Sequence, residues 1–241
     1  MTTALWKWPT GAAVNRTVPK SKFYENAKIT NRLRDQFVEE VDRITWAYKL
    51  SPDTIRLRSS TAVPEIQVFA ILAKSGQEIS ESVVTAIDKA IHTPIFFEIT
   101  QTDGLQETTF MWAAYKQITA RAPSISGYLR GSQIAPRSQR MLIPAAVDLA
   151  ALYPRLLAPL LPMPPLPGES MSDTLDRMEQ VNKLDREIGS LEKAMNAEKQ
   201  INRKLEFRRG LRNKMHEREL LVASTTREQS KRVTKDAKWT S

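Results

Sequence analysis

Between Ile29 and Ile44 the apolar residues Ile29, Leu33, Phe37, Val41 and Ile44 recur at steps of four, four, four and three. That spacing predicts a helix of about 20 residues with one apolar stripe, closed by Ser51-Pro52-Asp53. TIRLR, with Ile55 and Leu57 on one face, and EIQVFAILAK then predict two strands. In the second, Ile66, Val68, Ala70 and Leu72 alternate with Phe69 and Ile71, so both faces are apolar and the strand is expected inside a sheet. After Gly76, Ser80 can cap a helix that buries Val83, Val84, Ile87 and Ile91. PIFFEIT and TTFMWAAYK predict two further strands, joined through the hairpin dipeptide Asp103-Gly104. The order implies an α+β domain: a small, mostly antiparallel sheet with helices on one face.

Two changes of texture divide the chain. Residues 154–167 hold six of the 14 prolines, and residues 168–241 hold none. Proline lacks an N–H and restricts its predecessor, so PRLLAPLLPMPPLP reads as a semi-rigid connector, with Leu156, Leu157, Leu160 and Leu161 expected to pack back onto the first domain. From Met171 to Val222, Val181, Leu184, Ile188, Leu191 and Met195 alternate steps of three and four, the spacing of a coiled-coil seam. Such a stripe needs a cover: another copy of the chain, a different subunit, or the chain itself folding back. The expected organisation is an α+β domain over 1–153, a Pro-rich linker over 154–167, a long coiled-coil-like helical arm over 168–222 and a basic tail over 223–241.

Composition narrows the chemistry. The 241 residues contain no cysteine and only two histidines. Disulfides, thiolate zinc sites, iron–sulfur clusters and cysteine nucleophiles are excluded, as are multi-histidine metal sites. The eight glycines form neither G-x-G-x-x-G nor a Walker-type loop, and no G-x-S-x-G elbow accompanies His92 or His216. No cofactor, catalytic set or metal site is expected. The first residues hold no uninterrupted apolar run, and the apolar stretch 141–166 is broken by prolines and carries Asp148 and Arg155, so a cytoplasmic chain without a membrane span is expected.

The net charge of +9 is unevenly spread. Between Glu107 and Asp148 there is no acidic residue, while Lys116, Arg121, Arg130, Arg137 and Arg140 all fall in that window. With the interspersed serines and glycines of SISGYLRGSQIAPRSQR, it reads as a mobile basic loop able to meet nucleic-acid phosphates, with Tyr128 available to stack on a base. Arg203, Lys204, Arg208, Arg209, Arg212 and Lys214 form a second basic group on the helical segment, read as a solvated face. Asp53, Glu65, Gln67, Lys74 and Glu98 are the raw material for a Mg²⁺-dependent nuclease, but E-I-Q stands where a strand of that type would carry E-x-K. Glu65 and Glu98 therefore read as ordinary strand-end carboxylates.

Several phrases together, EIQVFAILAK, IDKAIHTPIFFEI, Tyr115-Lys116 and LDREIGSLEKAMNAEKQINRKLEFRRGLRNKMHEREL, resemble an uncharacterised bacterial domain-of-unknown-function family. Genes of the family it resembles tend to lie beside Swi/Snf-like helicases and DNA methyltransferases in phage-defence or restriction-like loci. The resemblance implies an accessory subunit that works with such a helicase and a methyltransferase, and the basic window, with Lys116, Arg121, Tyr128, Arg130, Arg137 and Arg140 as its DNA-contacting residues, is compatible with that context. Val181, Leu184, Ile188, Leu191 and Met195 would then bind the partner or a second copy. A divergent nuclease and a self-assembling coiled-coil protein are the alternatives.

Overall fold

Strand β4, Ile66–Ala73, lies where its two apolar faces place it, inside a six-stranded sheet whose strands follow their order in the sequence. In the computed structural model the backbone of residues 5–26, 29–104, 106–118 and 123–236 is described, with side chains excepted at 25, 26 and 223–236. Along the chain come β1 (Trp6–Lys7), β2 (Ala13–Thr17), α1 (Ser21–Asn26), α2 (Asn31–Glu40), β3 (Val41–Leu50), α3 (Pro52–Ile55), β4, α4 (Glu81–Ala90), β5 (Ile95–Asp103), β6 (Gln106–Gln117), β7 (Ser124–Arg130), β8 (Met141–Leu142), α5 (Leu149–Leu157), α6 (Met171–Ala197) and α7 (Ile201–Asp236). The sheet is mixed. β4 and β5 run parallel around the α4 crossover, and the other pairings are antiparallel.

One face of the sheet packs Ile44, Phe69, Ile71, Phe97, Ile99, Phe110 and Trp112 against Phe23, Phe37, Val83, Val84 and Ile87 from α1, α2 and α4. The opposite face is covered too. Trp8 meets Phe96 at 6.0 Å between ring centres, and Tyr153 of α5 meets the same ring edge-on at 6.0 Å. The expectation of helices on one face is thus corrected: α5 and the N-terminal segment close the second one. An apolar central strand such as β4 requires this, because leaving either face in water would forfeit about 25 cal/mol for each Å² of apolar surface.

The predicted helix over Ile29–Ile44 stops at Glu40, and Val41 and Ile44 begin β3 instead. Irregular pairing with β4 between Val41 and Arg43, and again between Trp46 and Tyr48, brings Val41, Ile44, Ala47 and Leu50 inward at every third residue. A bulged strand can therefore imitate helical periodicity. TIRLR is not a strand. Ser51 and Thr54 exchange hydrogen bonds as a cap on the turn α3, and Arg56 leaves it in the left-handed region at φ 58°. The β5–β6 hairpin turns at Gly104, whose φ of 59° suits a residue without a Cβ.

The basic window is not an open loop either. Residues 124–130 form β7, paired to β6, and Ile134 bridges Thr109. The apolar Pro-rich stretch begins inside α5, which runs through Pro154, and Leu156, Leu157 and Leu160 are buried.

The chain divides into two compact units, residues 1–162 and 163–241. In the second, α6 and α7 turn at residues 198–200 and run antiparallel, with Lys214 paired to Glu187 (2.9 Å) and Arg218 to Asp185. Arg177 ties the base of this hairpin together. Its guanidinium grips Glu169 at 2.7 and 2.8 Å, and it donates to the carbonyls of Pro164 (3.0 Å) and Leu221 (3.5 Å).

Candidate functional site

Of the basic-window residues, Lys116 is the most deeply placed. It is buried on β6, and its ammonium group pairs with Asp88 of α4 while donating to the carbonyl oxygens of Asp88 (2.8 Å), Ile91 (2.6 Å) and Thr93 (3.2 Å). A cation donating to the last carbonyls of a helix meets both their unmet hydrogen bonding and the negative end of the helix dipole. Lys116 is thus the C-terminal cap of α4, supplied from across the core. Burial pushes its ammonium down and the Asp88 carboxyl up from their ordinary values, and their mutual attraction opposes both shifts. Tyr128 donates to the second Asp88 oxygen (2.8 Å), and burial beside that carboxylate raises the phenol. The Tyr153 hydroxyl completes the cluster from the other side, accepting from the Lys116 N–H and donating to the Ala114 carbonyl, both at 2.8 Å. The sequence gives one signal for this arrangement, an aspartate on the apolar face of α4, and reading Lys116 as a phosphate contact passed over it.

Arg140 is also committed internally. It forms a bidentate pair with Glu98 of β5 (2.7 and 2.9 Å) and donates to the Trp6 carbonyl, while Trp8 donates to the same carboxylate at 2.6 Å. Glu98 is therefore a buried clasp that fastens the N-terminal segment, not a loose strand-end group. Its hydrogen bonds lift the Arg140 guanidinium still higher. Arg121 lies outside the described residues. Arg130 and Arg137 remain exposed, and Arg130 lies over Phe110 at 4.2 Å and Trp112 at 5.5 Å from the ring centres. Stacking of this kind holds a guanidinium in place while leaving its N–H groups toward solvent.

The acidic residues considered for metal chemistry do not converge. Glu65 pairs with Lys49 (2.6 Å) and accepts from Gln67 (2.6 Å); Glu98 is held by Arg140 on the face closed by the N-terminal segment; Asp53 belongs to α3 and Lys74 follows the far end of β4. Among the described residues, no group of three histidine or acidic side chains is placed to hold a metal ion. No helix among them is long and apolar enough to cross a membrane.

On the hairpin, Val181 and Leu184 are buried, and Ile188, Leu191 and Met195 are half-buried. Leu191 comes within 3.8 Å of where a Cβ on Gly210 of α7 would stand, so the stripe is covered by the same chain. Residues 7–217 match the family described as Domain of unknown function (DUF4391). The chain belongs to the DUF4391 family. The DUF4391 match begins in β1 and ends within α7, so the family domain takes in both compact units. No curated protein and no solved structure matches the chain.

Proposed function

We propose that this DUF4391 protein is a non-enzymatic accessory subunit of a DNA-processing complex of the anti-phage or restriction-like kind. In this reading its α+β unit presents the β7 edge to DNA, while a Swi/Snf-like helicase or a DNA methyltransferase supplies the chemistry. One observation carries the reading: β7 and the segment after it offer two exposed guanidinium groups, Arg130 and Arg137, and Arg130 is held in place by aromatic rings. An ordered cation loses less side-chain entropy on meeting a phosphate than a free one does. The other polar side chains of the window support it indirectly, because Lys116, Tyr128 and Arg140 brace the strands that carry this edge.

Co-expression with a Swi/Snf-like helicase and a DNA methyltransferase from the same genome tests the subunit role. The expected result is a complex of fixed stoichiometry that survives gel filtration. Elution of the chain apart from both proteins contradicts it.

A further inference from the structure

Helix α7 carries two rows of heptad-spaced side chains. Phe207, Leu211, Lys214, Arg218 and Leu221, at steps of four, three, four and three, are half-buried and face α6, as the pairs Lys214–Glu187 and Arg218–Asp185 require. A second row, Ile201, Leu205, Arg208, Arg212, Met215, Glu219 and Val222, follows the same alternation. At about 100° per residue it lies roughly 110° around the helix from the first. Ile201 is 75% exposed, Leu205 47% and Met215 51%. Arg208, Arg212 and Glu219 are exposed and form no ion pair among the described residues. This row has the spacing of a coiled-coil seam, and from Ile201 to Glu219 it is exposed, with only Val222 at its end half-buried.

The charges in the row select what fits it. A bilayer needs a continuous apolar stripe with cations at its margins, whereas here Arg208 and Arg212 stand in the middle. A nucleic acid would leave Ile201, Leu205 and Met215 in water. Pairing with a second copy in parallel sets each arginine against itself. Antiparallel registers must oppose one set of seam positions (Leu205, Arg212, Glu219) to the other (Ile201, Arg208, Met215, Val222). Among these, one sets Arg208 against Arg212 and another sets Leu205 against Arg208. A single register brings Arg208 opposite Glu219; it also joins Leu205 to Val222 and Arg212 to Met215, whose thioether can cover the arginine stem while the guanidinium reaches water.

We propose that a second copy of this chain docks along this row. The two α7 helices run antiparallel about a two-fold axis between Asn213 and Lys214, and Arg208 of each copy pairs with Glu219 of the other. The interface is isologous, so each contact occurs twice. It stands independently of the DNA reading, since it uses a different unit of the chain.

Charge reversal in the full-length chain tests the register. Sedimentation at tens of micromolar should show a dimer. Arg208→Glu alone, or Glu219→Arg alone, should raise the dissociation constant about tenfold or more, and the double variant should restore it to within a few fold. Both side chains are exposed, so helix content measured by circular dichroism should not change in any variant. Because the chain has no cysteine, a mixture of Leu205→Cys and Val222→Cys chains should cross-link on oxidation, while Leu205→Cys alone should not. A monomeric wild type overturns the proposal. Single reversals without effect, a double variant without rescue, or self-cross-linking of Leu205→Cys overturn it as well.

Discussion

At the scale of single residues, the same side-chain type serves opposite ends according to its surroundings. Lys116 and Arg130 belong to the same acid-free window, yet one closes a helix inside the core and the other faces solvent. Replacing Lys116 by Met keeps the bulk and removes the charge, leaving the buried Asp88 carboxylate with the Tyr128 hydroxyl but no cation, and the carbonyls of Ile91 and Thr93 without their lysine donor. The expected loss is about 3–5 kcal/mol of stability, measured by urea unfolding. Combining it with Asp88→Leu should recover only part, because the carbonyls of Ile91 and Thr93 stay unmet. Glu169 gives a second prediction. Its hydrogen bonds to Arg177 hold the carboxyl down to about 2, against an ordinary 4.5. A depressed carboxylate contributes stability that is complete above its unfolded value and disappears as pH falls through its folded one. The thermal midpoint of the hairpin should therefore fall between about pH 4.5 and pH 2. Glu169→Gln should start lower at neutral pH and lack that acid limb, and an acid limb unchanged in the variant would assign the loss to other carboxylates.

At the scale of elements, legibility followed how directly the sequence repeats the contacts. β4, α4 and the β5–β6 hairpin could be read because alternation, the helical spacing of Val83, Val84 and Ile87, and Asp103-Gly104 each act locally, although Ser80 stands at the N-cap of α4 without a side-chain capping bond. β3 could not, because its bulges impose a period of three that the sequence shares with a helix. β7 was missed for a different reason: SISGYLR has little intrinsic strand preference, and it is ordered by pairing with the long strand β6. In the helical segment the first stripe was expected to bind a partner from a long arm, whereas α6 and α7 form a hairpin in which α7 covers that stripe. The second row on α7 went unread because Arg208, Arg212 and Glu219 occupy seam positions where an apolar search finds gaps.

At the scale of the whole molecule, charge marks out the parts. The α+β class and the mostly antiparallel sheet were legible from the order of elements, but the covered second face was not, since it depends on Trp8 and Tyr153 arriving from distant parts of the chain. The same distance hid the clasp between Glu98 and Arg140, 42 residues apart. With Lys116 buried and Tyr128 and Arg140 engaged in internal contacts, Arg130 and Arg137 are the exposed cations of the first unit's window among the described residues. In the proposed function these two arginines meet DNA, and the salt dependence of DNA binding tests that contact. For the wild type, fluorescence anisotropy with a labelled duplex should show affinity that falls steeply as salt is raised. For Arg130→Glu with Arg137→Glu, binding should weaken across all sequences and the log–log salt slope should shrink by about 1 for each contact removed. No binding by the wild type at low salt, or equal affinity and slope in the double variant, would contradict the account.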